Sequence, residues 1–418
     1  MRRASIIVLD GLGIGEAHDA GAYGDAGSNT LGNVARQVGG LHLPALERLG
    51  LGRCAAVPGL SDSATPRAAY GVCEPASPGK DSTTGHWEIC GLLLESPFPT
   101  YPRGFPPAVL GEFSRRTGRG VLGMESPFPT YPRGFPPEVL AEFSRRTARG
   151  VLGNKPASGT AVLDEYAEEQ RRTGSWIVYT SADSVFQIAA DEATIPLGEL
   201  YSACATAREI LVGEHGVSRV IARPFVGQPG AWKRTPRRRD FSLPPPGPTL
   251  LDRLAERQIP RVGVGKVDDL FARRGITSIH AETNADAYAL IEGALGAMHR
   301  GLLLANVIEF DQSWGHRNDV PGFRGGLEQL DRVLPRLLGA VREHDLIIFT
   351  ADHGNDPTTP STDHSRERVP LLVFGPKVRP VSLGCRGTFA DIGQTVADFL
   401  GVPALPAGTS FLPEVWLD

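Results

Sequence analysis

The chain has 418 residues, is 41% hydrophobic and 22% charged, and carries a formal net charge of −4 at pH 7. That length exceeds one small core and predicts two domains, and the slight acidity argues against a nucleic-acid binder, which would show a basic face. Five cysteines without C-x-x-C spacing predict free thiols in a reducing, cytoplasmic setting, and no stretch approaches the roughly 18 apolar residues of a membrane span.

The chain opens on Ser5-Ile6-Ile7-Val8-Leu9, an apolar run too short for a signal peptide that reads as a buried strand. Asp10-Gly11-Leu12-Gly13-Ile14-Gly15 follows, with the acid first rather than in the order of a dinucleotide-binding turn. An acid at a strand end suits a metal ligand, and a plain tight turn is the alternative. Gly79-Lys80-Asp81-Ser82 comes next but lacks the upstream glycine of a P-loop. It reads as a helix start with Ser82 as N-cap, or as a hydroxyl nucleophile beside metals. The two are compatible, because a helix N-terminus also binds phosphate.

Pro-rich stretches at Ser96-Pro97-Phe98-Pro99 and Leu243-Pro244-Pro245-Pro246-Gly247-Pro248 bound a block with few metal-type residues. The predicted division is a core of 1–94 and 244–418 with a cap domain, 95–243, inserted between them. The cap contains an internal repeat. Glu95–Gly123 matches Glu125–Gly153 at a period of 30, and the 29 paired positions differ at three: Ala108/Glu138, Gly111/Ala141 and Gly118/Ala148. Two near-identical copies indicate a tandem duplication (95–124 and 125–154) rather than a solenoid, which needs at least three repeats. Each copy predicts a Pro-rich loop and then a helix. One docking groove can take one such helix, so one copy should pack and the other should be exposed or poorly ordered.

Buried parallel strands are predicted at 5–9, 176–180, 219–222, 261–265, 303–308, 346–350 and 369–374, with helices over 286–300 and 325–343. Alternation of this kind predicts an α/β fold with a mainly parallel sheet. The basic run Arg234-Thr235-Pro236-Arg237-Arg238-Arg239 reads as a solvated loop or as a phosphate-facing one.

The C-terminal third carries the chemistry. Asp311 and His316 flank a Gly-containing turn, Asp352 and His353 end a strand, and Asp363-His364 follows. Asp10, Asp311 and Asp352 each come just after a predicted strand, which places them at the edge where open α/β sheets bind ligands. Four of the ten histidines (His86, His316, His353, His364) lie in polar, Gly-rich motifs. Imidazole with carboxylate suits Mn, Zn or Fe(II), and two such ions held close together suit phosphoryl transfer.

Together these strings resemble the phosphopentomutase family of the alkaline phosphatase superfamily. The resemblance runs over Asp10–Glu16, Asn29–Asn33, Gly79–Glu88, Gly153–Thr160, Tyr179–Val185, Val220–Phe225, Gly315–Asp319, Ala351–Asp356 and Thr362–Glu367. It implies an α/β core of alkaline phosphatase type with an inserted α/β cap. It implies two Mn2+ ions, one held by Asp10, Asp352, His353 and the hydroxyl of Ser82, the other by Asp311, His316 and His364. Ser82 stands where the family carries its phosphorylated nucleophile. Ser181, Asp183, Val185, Arg219 and Ile221 match positions that hold the ribose phosphate, and Arg223, Arg234 and Lys266 are basic side chains in similar strings. The implied partners are pentose phosphates, with a sugar bisphosphate as activator and neither nucleic acid nor membrane. The alternatives are a phosphatase or sulfatase with the same metals, or a non-catalytic sugar-phosphate binder. The family pattern has a single copy of the repeated segment, so one unit of 30 residues is surplus here.

Overall fold

A computed structural model of the chain describes residues 2–62, 65–99, 105–106, 109–110, 112–113, 116, 151–180, 184–212 and 216–417. The chain divides into two compact units, Met1–Pro97 with Pro244–Asp418, and Phe98–Leu243.

The first unit is built on an eight-stranded sheet. Its strands are β1 (Arg3–Leu9), β2 (Ala69–Cys73), β9 (Arg261–Val264), β10 (Ser278–Ile279), β11 (Gly301–Val307), β12 (Asp345–Thr350), β13 (Val369–Phe374) and β14 (Ser382–Arg386), in the spatial order β10-β9-β11-β1-β12-β13-β2-β14. Every residue of β1 is buried, and both its neighbours, β11 and β12, run parallel to it. Burial on both faces explains why Ile6-Ile7-Val8-Leu9 is a continuous apolar run rather than an alternating one. Since β11, β1 and β12 are parallel neighbours, their C-terminal ends reach one edge of the sheet together.

The sheet is not parallel throughout. β13 pairs antiparallel with both β12 and β2, against the expectation of a parallel strand at 369–374. The reason lies in the connection: residues 351–368 form a loop with no helix, and without a crossover element the chain returns antiparallel. The helices expected near 286–300 and 325–343 span Asn284–Ala297 and Val320–Gly339. The second begins earlier than its apolar pattern because Asp319 caps it, accepting from the Gly322 amide at 2.9 Å.

The second unit holds a six-stranded sheet of β3 (Val151–Pro156), β4 (Trp176–Thr180), β5 (Val185–Asp191), β6 (Arg219–Val226), β7 (Lys233–Arg234) and β8 (Arg239–Ser242). On one face Trp176, Val178, Phe186, Ile188, Val220 and Ala222 form a core with Phe105, Val109, Leu110 and Phe113 of the first repeat copy. The Phe186 ring lies 4.5 Å from that of Phe105 and 5.4 Å from that of Phe113, within the range of favourable aromatic pairs. The first copy therefore packs. Of the second copy only its end, leading into β3, is described. The expectation that it is exposed lies outside the described residues.

Deleting residues 95–124 puts Phe135, Val139, Leu140 and Phe143 at the sequence positions of Phe105, Val109, Leu110 and Phe113. It also exchanges Gly111 and Gly118 for alanine, each change stabilising by about 0.4–1 kcal/mol where the backbone is compatible. The deletion variant should melt at or above the temperature of the full chain and keep its activity. Loss of cooperative unfolding in the deletion variant would show that both copies are built into the cap.

Candidate active site

Asp10 closes β1, Asp311 stands on a π-helical turn (Phe310–Trp314) beyond β11, and Asp352 follows β12. All three carboxylates are buried, as are His353 and His364. Ligand atoms of Asp10, Asp352 and His353 lie within 4.8 Å of one another, and so do those of Asp311, His353 and His364. His353 thus sits in both groups, where the sequence assigned it to the first alone. His316 stands beside them, with Nε2 3.4 Å from Asp311 Oδ2 and Nδ1 2.6 Å from the Thr362 carbonyl. The three imidazoles form a row, with His364 4.8 Å from His316 and 4.1 Å from His353 between ring centres.

Ser82 Oγ lies 3.1 Å from His353 Nε2 and 3.4 Å from Asp10 Oδ1. It is the first residue of the helix Ser82–Ile89, not the N-cap expected from the sequence. Asp81 caps instead, its Oδ1 accepting from Thr83 and Thr84 amides at 3.0 and 3.1 Å. A carboxylate is the stronger acceptor for those amides, which leaves the serine hydroxyl facing the cluster. The same bonds occupy two amides that a phosphate at this helix end would need. Gly85 brings the helix close: a Cβ there would stand 2.1 Å from the Asp352 carbonyl oxygen.

Burial disfavours the ionised form of Asp10, yet the Lys266 ammonium, 3.5 Å from its Oδ2, and His353 hold the carboxyl well below its ordinary range. Burial acts the same way on Asp311, where His316 and His364 outweigh it. On His353 burial favours the neutral ring, but Asp352, Asp10 and Asp311 together raise its pKa well above the usual value. Three buried carboxylates with the Lys266 ammonium and the His353 ring beside them are still short of positive charge, and buried charges persist only when compensated. Asp352 Oδ2 is buried and accepts no hydrogen bond, as befits an oxygen reserved for a cation. The mixed oxygen and imidazole donor set fits Mn, Zn or Fe(II).

Several residues here were not assigned roles from the sequence. Asn306 Nδ2 donates to Asp10 Oδ2 at 3.1 Å, and Asn355 Nδ2 donates to Asp311 Oδ1 at 2.8 Å. An amide inside the apolar run Leu302-Leu303-Leu304-Ala305-Asn306-Val307 was the available signal. His86, noted only as part of a motif, is buried next to Asn306. Arg366 is buried too, donating to both Asp19 oxygens at 3.0 Å and to the Ser77 and Gly79 carbonyls at 2.6 Å, so it holds the loop before Ser82. Glu367 accepts from Gly15 N, Thr30 N, Thr30 Oγ1 and Ser365 Oγ, and burial pushes its carboxyl up to about 7.

In the cap, Arg219, Ile221 and Arg223 alternate along β6, opposite Val185, Gln187 and Ala189 of β5. They share the face that carries Tyr179 and lies opposite the repeat helix. Arg223 Nε donates to Gln187 Oε1 at 3.0 Å, and burial, then Arg238, lowers its guanidinium to about 10. Arg234 lies at Gly159, where a Cβ would stand 2.8 Å from its guanidinium and 3.1 Å from the Tyr179 hydroxyl. That hydroxyl is buried without a hydrogen-bond partner. The basic run is not simply a loop, because it contributes to β7 and β8. Within it Arg237 pairs with Glu192, Arg238 takes both oxygens of Asp240 at 2.7 and 2.6 Å, and Arg239 lies over the Phe241 ring. Lys266 belongs to the first unit, at Asp10, while Ser181 and Asp183 lie outside the described residues. The five cysteines are free, and no helix among the described residues is long and apolar enough to cross a membrane.

The model of the metalloenzyme superfamily matches residues 264–404. A phosphopentomutase of Dictyoglomus turgidum is 51% identical over 417 residues, covering 99% of this chain and 98% of the relative. That of Carboxydothermus hydrogenoformans is 50% identical over 419 residues, covering 99% and 100%. That of Anaeromyxobacter dehalogenans is 51% identical over 416 residues, covering 99% and 98%. With about half of all positions identical along nearly its whole length, the chain belongs to the phosphopentomutase family.

Proposed function

We propose that this chain interconverts the 1- and 5-phosphates of ribose or deoxyribose, with Ser82 carrying the phosphate between sugar oxygens and two Mn2+ ions in the centre. The observation that carries this reading is the Ser82 hydroxyl, held 3.1 Å from His353 Nε2 and 3.4 Å from Asp10 Oδ1 among buried carboxylates and imidazoles. Bound there, divalent cations would neutralise the carboxylates, acidify the serine hydroxyl and stabilise the attacking and leaving oxygens.

In this reading Asp10, Asp352 and His353 hold one ion, and Asp311, His316 and His364 hold the other. Asp10 Oδ1 accepts from the Ser82 hydroxyl and orients it. Lys266 adds positive charge on the side of Asp10, where a phosphate would need it. A sugar bisphosphate primes the enzyme: its phosphorus–oxygen bond breaks as the bond to Ser82 Oγ forms, and the serine proton goes to the departing sugar oxygen. The phosphoserine then passes its phosphate to the free hydroxyl of a pentose monophosphate, and the bisphosphate so formed turns over and returns its other phosphate. One ester bond forms for each that breaks, so no external energy source is needed. Val185 and Ile221 would wall the ribose, and Arg219, Arg223 and Arg234 would hold the phosphate not in transfer, with Ser181 and Asp183 as further contacts. Five free thiols suit a cytoplasmic setting.

Incubation with a sugar bisphosphate should add one phosphate to the intact protein, mapped to Ser82, and Ser82→Ala should be inactive and unlabelled. Normal turnover by Ser82→Ala would sink the assignment. Removing a metal ligand should cost more than the about 10–100-fold typical of groups behind the ligands. His364→Ala should therefore lose transfer by more than about 100-fold while its circular dichroism matches that of the parent. Undiminished activity after exhaustive chelation would overturn the metal reading.

A further inference from the structure

Behind the metal-ligand carboxylates lies a hydrogen-bonded chain through His86 and Asn306, both fully buried. His86 is fully buried one turn into the helix that begins at Ser82. Its Nδ1 lies 2.9 Å from the Ser82 carbonyl oxygen and 3.1 Å from Asp352 Oδ2. Both are acceptors, so this nitrogen carries a hydrogen. Its Nε2 lies 3.2 Å from Asn306 Nδ2. That amide nitrogen is also 3.1 Å from Asp10 Oδ2, and the carboxylate requires the NH2 end of Asn306 rather than its oxygen to point this way. An NH2 group has two hydrogens, one for Asp10 and one for the lone pair of His86 Nε2. The network assigns every proton in one direction, from Asn306 outward to Asp10 and to His86, and from His86 to the Ser82 carbonyl, with Asp352 Oδ2 3.1 Å from the same nitrogen.

We infer that His86 and Asn306 form a positioning clip that orients Asp10 and Asp352 for a divalent cation and ties the backbone of the nucleophile to the same two groups. The inference rests on the metal reading above. The clip joins three elements: Asp10 ends β1, Asn306 lies in β11 opposite Val8, and His86 rides on the Ser82 helix. By holding Oδ2 of Asp10, Asn306 leaves Oδ1 directed at Ser82 and His353. Asp352 Oδ1 is fixed separately, by the Gly11 amide at 3.1 Å, so the His86 hydrogen faces the one oxygen of that carboxylate that has no hydrogen bond. Groups that orient metal ligands from behind typically contribute about 10–100-fold to metal affinity. His86 and Asn306 are therefore positioning residues: they contact ligand side chains and the Ser82 backbone, not the reacting atoms.

The test is Mn2+ binding to chelator-stripped full-length protein, followed by calorimetry. Asn306→Leu and His86→Leu should each weaken Mn2+ at one of two sites by about 10–100-fold, leave the other within about 3-fold, and keep the metal-free melting temperature near that of the parent. The double variant should lose little more than either single one, because each breaks the same chain. His86→Asn, which keeps a donor near the Nδ1 position, should retain more affinity than His86→Leu. Where His86→Leu fails to fold, Asn306→Leu and His86→Asn carry the test. Unchanged Mn2+ affinity in a folded variant, or equal weakening of both sites, overturns the clip. Failure of the parent protein to bind Mn2+ at all would instead sink the metal reading on which it rests.

Discussion

Three carboxylates that repel one another are buried at the ends of β11, β1 and β12, and the core of the first unit is arranged to hold them there. Like charges about 4 Å apart repel by on the order of 4 kcal/mol even at an effective dielectric of 20. A single ammonium, Lys266, and the His353 ring, whose pKa the surrounding carboxylates raise, offset some of this. The remainder calls for cations, so metal binding here is coupled to proton release and to stability. The parallel register makes the arrangement achievable, because three adjacent strands running the same way end at the same level.

Much of that arrangement was legible in the sequence. Acids placed directly after apolar runs, and histidines within Gly-rich turns, mark the centre. What was not legible depended on partners distant in the chain. Asn306 looks like a blemish in an apolar strand until Asp10 is placed beside it. Ser82 and Asp81 are both good caps, and only the demand of the cluster for a hydroxyl decides between them. The direction of β13 could not be read from its apolar run either, since a buried parallel and a buried antiparallel strand have the same composition. Its direction follows from the helix-free connection before it, which carries Asp352, His353 and His364 and so serves the site rather than a crossover. Short or mixed strands such as β2, β5 and β14 were missed for a related reason: their pattern becomes meaningful only next to a neighbour.

The cap separates two tasks by the alternation of its strands. On β6, Val220 and Ala222 face the core that includes the repeat helix, while Arg219, Ile221 and Arg223 face the other way. The repeat-helix residues Val109, Leu110 and Phe113 therefore pack on one face of the sheet, and the arginines lie on the opposite one. An insertion that loops out of a domain costs little in closure entropy, about 0.6 kcal/mol per doubling of loop length. Duplication on the first face is thus compatible with an unaltered opposite face, whereas the same event among residues 219–239 would displace guanidinium groups from Asp240 and Gln187.

Ser82 is placed by contacts on the rest of its helix. Within the helix Ser82–Ile89, Gly85 allows backbone contact with Asp352, and Trp87 Nε1 donates to the Leu270 carbonyl at 2.9 Å. Glu88, buried one residue on, accepts from the Ala76 and Ser77 amides at 2.9 and 2.7 Å and from Thr388 Oγ1 and the Phe389 amide at 2.7 and 3.0 Å. These contacts anchor a helix only eight residues long. A helix of that length has almost no stability alone, so its position is set by tertiary contacts rather than by propensity. The Ser82 hydroxyl, 3.1 Å from His353 Nε2 and 3.4 Å from Asp10 Oδ1, is held there by the summed rigidity of those anchors. That is why a polar string such as Gly79–Glu88, unremarkable by composition, carries one residue for the chemistry and most of the others for its placement.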